Sequence, residues 1–137
     1  MRIDRARGEL LERWLILLVA LHSYAIGAAL LAMPAWALRF GGWETLPPLF
    51  FPRQAGVFHL VLATGYLIEY ARQRGVVLLL TAKGLATVFL AAATLSGDAP
   101  WFVGFAGASD GLIALAVLAT RRMVRSTGAP RPDTRAP

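Results

Sequence analysis

Residues 76–95 read VVLLLTAKGLATVFLAAATL, twenty residues with a single charge, Lys83. At about 1.5 Å of helical rise per residue, such a run spans a hydrocarbon core of roughly 30 Å. Lys83 is the only lysine in the chain, and the other thirteen basic residues are arginines. A lone ammonium inside a membrane helix is costly and needs a partner. The stretch therefore implies a membrane span and, at Lys83, a buried polar site.

On its N-terminal side lies Arg72-Gln73-Arg74-Gly75, a tight basic turn, preceded by Gln54–Tyr70, QAGVFHLVLATGYLIEY. This segment is shorter and more polar, with His59, Thr64 and Glu69. It is expected to be a span that faces protein over much of its surface. On the C-terminal side, Ser96–Pro100 is a polar turn and Trp101–Thr120, WFVGFAGASDGLIALAVLAT, is a further span stopped by Arg121, Arg122 and Arg125. The tail, residues 123–137, is rich in Pro, Gly, Ala and Arg, a composition that predicts disorder.

The first span is Trp14–Met33, behind a charged lead-in at 1–13. A basic start and Ala35-Trp36-Ala37 resemble a signal peptide. However, the apolar run exceeds the usual 7–15 residues of a signal and contains His22 and Tyr24, which favours a retained helix. The link from Pro34 to Arg53 is predicted to open with a short helix, Pro34 at its first turn and Gly41-Gly42 at its end. Pro47-Pro48 and Pro52 break helix beyond it. Its Trp36, Phe40, Trp43, Phe50 and Phe51 place it on the membrane surface or over the bundle, as an interfacial anchor or a lid.

Arginines fix the orientation. Eleven fall at the termini and the 72–75 turn, whereas only Arg39 and Arg53 fall on the opposite side. The positive-inside rule then puts both termini in the cytoplasm, which requires an even number of spans. The predicted fold is all-α: a four-transmembrane-helix bundle over 14–122 with an irregular outer link between the first two helices. The predicted location is a bacterial inner membrane.

Four ionisable residues come from four different spans at similar depth. By helical rise, Lys83, His22 and Asp110 lie roughly 10, 12 and 15 Å from the cytoplasmic edge, and His59 sits on the outer half of its helix. Gly104, Gly107 and Gly111 form a small face beside Asp110 that permits close helix approach. The third and fourth spans, joined by a short turn, are expected to be antiparallel neighbours, with Lys83 and Asp110 meeting directly or through one water. That pair is either a functional site or a structural ion pair. The two histidines are either ligand-binding groups or donors to backbone carbonyls. Secondary candidates are Arg53 and Gln54 at the outer edge, as anchor or anion site, and Glu69 near the cytoplasmic interface, reaching headgroups or pairing with Arg72.

Composition excludes several classes of function. With no cysteine, disulfides, thiolate metal sites and cysteine nucleophiles are ruled out. No local His/Glu spacing of a metal site occurs, so no metal is assigned. There is no G-x-S-x-G, phosphate-binding loop or dinucleotide fingerprint. The +6 charge lies at span ends rather than on an aromatic-studded face, which argues against nucleic acid.

The four-span layout, the opening Phe51-Pro52-Arg53-Gln54-Ala55-Gly56 of the second span, and the buried Lys83 and Asp110 together resemble the DoxX-like group of small bacterial membrane proteins. The likeness covers residues 10–122. Unlike the group's better-defined members, this chain lacks an arginine-and-glycine start and a terminal lysine in its first span. The resemblance implies a possible role beside quinone-coupled redox complexes. The leading expectation is an accessory or scaffold subunit without its own catalysis, partnered by the bilayer and by membrane proteins or further copies. The alternatives are a binding or transport module for a lipid-like or quinone-like molecule, and a membrane isomerase or oxidoreductase-associated protein with a histidine proton carrier. No cofactor is assigned.

Overall fold

In a computed structural model, residues 2–97 and 99–126 are described, with side chains from Ala6 onward. Five helices, and no strand among the described residues, make up the fold: α1 (Arg2–Ala32), α2 (Pro34–Phe40), α3 (Phe50–Gln73), α4 (Val77–Leu95) and α5 (Trp101–Ser126). Three stretches are long and apolar enough to cross a bilayer: Ala6–Ala32, Val77–Leu95 and Trp101–Ser126. The chain is thus an all-helical, multi-pass membrane protein.

Several boundaries differ from the sequence expectation, each for a local reason. The charged lead-in is no separate element. Arg2–Arg13 continues directly into α1, and the buried stripe of Ala20 and Ile16 reaches back one turn further to Glu12. Helix α3 begins at Phe50, so Pro52 lies inside its first turn rather than ending helix before it. A first-turn residue has no intrahelical acceptor for its N–H, which is why proline is tolerated there. Helix α3 ends at Gln73, where Arg74 takes the left-handed conformation (φ 51°) and donates its N–H to the Tyr70 carbonyl. Helix α5 runs on to Ser126 and takes in four residues of the expected tail, while 127–137 lie outside the described residues. The short helix after Pro34 forms as expected, with Gly41 as its C-cap.

The long helices pack as two antiparallel pairs. In the first, Gly27 of α1 faces Gly56 of α3, and a Cβ on either glycine would lie 2.8 Å from the other's carbonyl oxygen. Further along this pair, Thr64 Oγ1 donates to the Leu60 carbonyl, so the Tyr24 hydroxyl donates to Thr64 Oγ1 at 2.8 Å. In the second pair, Gly104, Gly107 and Gly111 of α5 pack on Thr94, Leu90 and Thr87 of α4, the close approach that their spacing predicts.

The pairs join at one end. The buried core (Ile16, Val19, Tyr66, Tyr70, Val76, Leu79 and Val117) occupies that half of the bundle. Gly8 meets Val124 there, and Arg121 donates from Nη2 to the Arg74 carbonyl at 2.7 Å, holding α5 to the α3–α4 turn. Arg7, Arg13, Arg72, Arg74, Arg122 and Arg125 belong to the same end, so both ends of the described chain lie together.

Glu69 completes this junction, and among the described residues its carboxylate bonds to backbone N–H groups rather than to Arg72. Its carboxylate accepts from the Val77 and Leu78 N–H groups at 2.9 and 3.0 Å. Val76, the N-cap residue of α4, supplies no side-chain cap, so α3 caps α4. Gly75 leaves room for it, since a Cβ there would lie 2.6 Å from Glu69 Oε1. Replacing Glu69→Ala should cost about 1 kcal/mol, typical of a lost cap, and speed hydrogen exchange at the Val77 and Leu78 amides. Unchanged exchange at these two amides would show that the cap contributes nothing.

Candidate functional site

Away from the joined end, the two pairs separate around a cavity of about 720 Å³. Every long helix contributes to its wall, and α2 with the following link forms its roof. The polar lining residues lie at one level. Counting inward from the roof, α1 presents Leu30, Ala29 and Ile26 before His22, and α3 presents Pro52 and Ala55 before His59. Likewise, α5 presents Phe102, Val103, Phe105 and Ala106 before Ser109 and Asp110. The cavity thus runs from a polar floor through apolar walls to an aromatic roof.

At the floor, Lys83 Nζ donates to Asp110 Oδ1 at 2.5 Å, with side-chain exposures of 5% and 14%. This is the contact expected from depth and antiparallel packing. The ammonium reaches Asp110 from below, and Thr87 Oγ1 closes the turn above by donating to the Lys83 carbonyl at 2.7 Å. Asp110 lines the cavity, and among the described residues its second oxygen has no hydrogen-bond partner. His59 is half-buried and lies within the electrostatic reach of Lys83, Asp110 and His22. Tyr66, two turns deeper on α3 and buried, is within the electrostatic reach of Asp110. His22 is the most exposed member of the cluster. Neither imidazole makes a hydrogen bond among the described residues, so the alternative of histidines tied to backbone carbonyls is not what the structure contains.

The roof is built from α2 and the residues after it. Trp36 stacks on Phe40, their centroids 5.6 Å apart, and Phe40 meets Trp101 edge-on at 6.3 Å. Gly41 and Gly42 bring the link down onto α5. A Cβ on Gly41 would lie 2.7 Å from the Trp43 ring, and Gly42 has φ 94° with Trp101 against it. The link therefore covers the bundle end while Trp36 and Phe40 remain largely exposed.

The structure thus brings His22, His59, Lys83 and Asp110 together and sets the secondary candidates apart. Arg53 and Gln54 are exposed near the start of α3 and do not line the cavity, and Glu69 serves the α4 cap. Ser109 and the roof tryptophans Trp36 and Trp43 are additions to the site. Ser109 could have been flagged by its place beside Asp110, but nothing local shows which loop aromatics turn inward. Ser23 is a separate case, fully buried on α1 with its hydroxyl unpaired among the described residues. No group of three or more His, Cys, Asp or Glu among the described residues could hold a metal ion.

Compared with family models, curated proteins and solved structures, the chain matches none.

Proposed function

We propose that this chain is a four-span protein of DoxX-like build that holds one lipid-like molecule between its helix pairs. Helix α3 is read as the fourth span. It is 24 residues long, about 36 Å, and packs antiparallel to α1. It turns Val57, Phe58, Val61 and Ile68 outward while keeping His59 and Tyr66 inside. The arginine-rich end is assigned to the cytoplasm, so the cavity belongs to the outer half of a bacterial inner membrane.

One observation carries the binding assignment: the cavity grades from a polar floor to an aromatic roof. Its size falls within the roughly 300–1,000 Å³ of ligand sites, and its mostly apolar wall with a few convergent polar groups is their usual make-up. A purely structural polar core would close over its charges instead of placing Asp110 at the base of a chamber. The protein purified in mild detergent should retain a small molecule in native mass spectrometry. Ala55→Phe and Ala106→Phe, which place a ring in the chamber, should lower retention about tenfold or more while the protein stays folded, because overlap removes the site itself. Repeatedly empty wild-type protein would sink the proposal.

A second reading, an accessory subunit with a structural core, is favoured by the direct Lys83–Asp110 pair, which fixes α4 against α5. Stable co-purification with another membrane protein, without any bound small molecule, would support it.

A further inference from the structure

We propose that the ligand is a neutral amphiphile with a hydroxyl head, held head-down with its O–H donating to the second oxygen of Asp110 and its oxygen accepting from His59. This rests on the reading of the cavity as a lipid site and adds the chemistry of the head. Three observations lead to it.

The first is unused hydrogen-bonding capacity. His22, His59, Ser109 and one oxygen of Asp110 line the floor without a hydrogen-bond partner among the described residues. These groups open onto the cavity, and a ligand that bonds to them there gains hydrogen bonds made away from bulk water. A carboxylate only accepts, while a neutral imidazole can donate through one nitrogen and accept through the other. A hydroxyl is the smallest head that satisfies both at once.

The second is charge. Lys83 and Asp110 already neutralise each other at 2.5 Å. An anionic head would bring an uncompensated charge to mid-membrane depth. A cationic head would compete for Asp110 and strand the buried ammonium. A neutral head does neither.

The third is orientation. The polar groups all lie at the closed base, and Trp36, Trp43, Phe89, Phe102 and Phe105 surround the remaining space. An apolar body therefore points toward the roof, and aromatic walls suit a ring next to the head.

The test uses three probes of equal length: 4-dodecylphenol, dodecylbenzene and 4-dodecylbenzoate. Each is loaded at the same mole fraction into nanodiscs holding the full-length protein, and the bound fraction is read by native mass spectrometry. The phenol should be retained about tenfold better than dodecylbenzene, the scale of a desolvated hydrogen bond, and the benzoate least of all. In His59→Phe, and independently in Ser109→Ala, the phenol-to-dodecylbenzene ratio should fall, further for His59→Phe. Equal retention of the phenol and dodecylbenzene by the wild type would overturn the head assignment and leave the cavity as an unselective apolar site. A preference for the benzoate would overturn the neutral head. Retention of no probe would overturn the lipid-site reading, and this inference with it.

Discussion

Lys83→Met and Asp110→Leu should each sharply reduce the yield of folded protein, and the double variant should recover much of it. Each single change removes one charge of a pair 2.5 Å apart and leaves the other buried without its counter-ion. A lone charge at the centre of a membrane helix costs about 2.5–3.5 kcal/mol on insertion scales, and breaking a buried pair from one side costs about 3–5 kcal/mol. The double variant loses the attraction but also the desolvation of both groups, and two apolar side chains of similar bulk can pack in their place. The measurement is the folded fraction by size-exclusion chromatography in mild detergent, with thermal midpoints for all four proteins. A double variant as damaged as the two singles combined would mean that the contact does not hold the helices. A double variant that folds fully but no longer retains a small molecule would place the pair in the binding site rather than in the scaffold alone.

Gly27→Ala and Gly56→Ala should be nearly as damaging, although each adds only a methyl group. The added carbon would sit 2.8 Å from a backbone oxygen of the facing helix, and a backbone cannot turn aside as a flexible side chain can. Relief requires α1 and α3 to move apart, which loosens the Tyr24–Thr64 hydrogen bond and the wall shared by His22 and His59. Overpacking of this kind costs about 1–3 kcal/mol or more. Gly84→Ala is the matched control. Outside the adjoining backbone of α4, no atom lies within 4 Å of the position its Cβ would take, so the substitution should be neutral or stabilise α4 by up to about 1 kcal/mol through better helix propensity. Thermal midpoints near wild type for Gly27→Ala and Gly56→Ala would show that the crossing is looser than described.

Much of this architecture is legible in the sequence, because bilayer physics acts on composition over twenty-residue windows. The apolar block at 76–95 became α4 with a one-residue change at its start, and Lys83 found Asp110 because a charge at that depth has few options. Other features were not legible, for definite reasons. The Gly27–Gly56 crossing depends on two lone glycines 29 positions apart, with no repeated spacing to announce them. Glu69 looks like any interfacial carboxylate until the turn folds back and places two free N–H groups against it. Pro52 reads as a breaker unless the helix starts within a turn before it, and the sequence carries no cap that marks the start at Phe50. The cavity is a property of how two helix pairs diverge, and no single helix carries it in its own periodicity.

The Glu69 cap also acts as a datum line. It fixes where α4 starts relative to α3, and therefore the axial offset between the two helices. Lys83 lies six residues beyond Val77, about 9 Å along α4, while His59 lies ten residues back from Glu69, about 15 Å along α3. A lysine stem bridges most of the difference, bringing its ammonium toward the level of the imidazole. The alignment of the floor is thus gauged from two N–H groups held by one carboxylate a helix-half away. Adding or removing one residue between Leu78 and Lys83 would shift Lys83 by about 1.5 Å relative to that gauge and rotate it by about 100° around the helix axis, misaligning the site without replacing any residue that lines it.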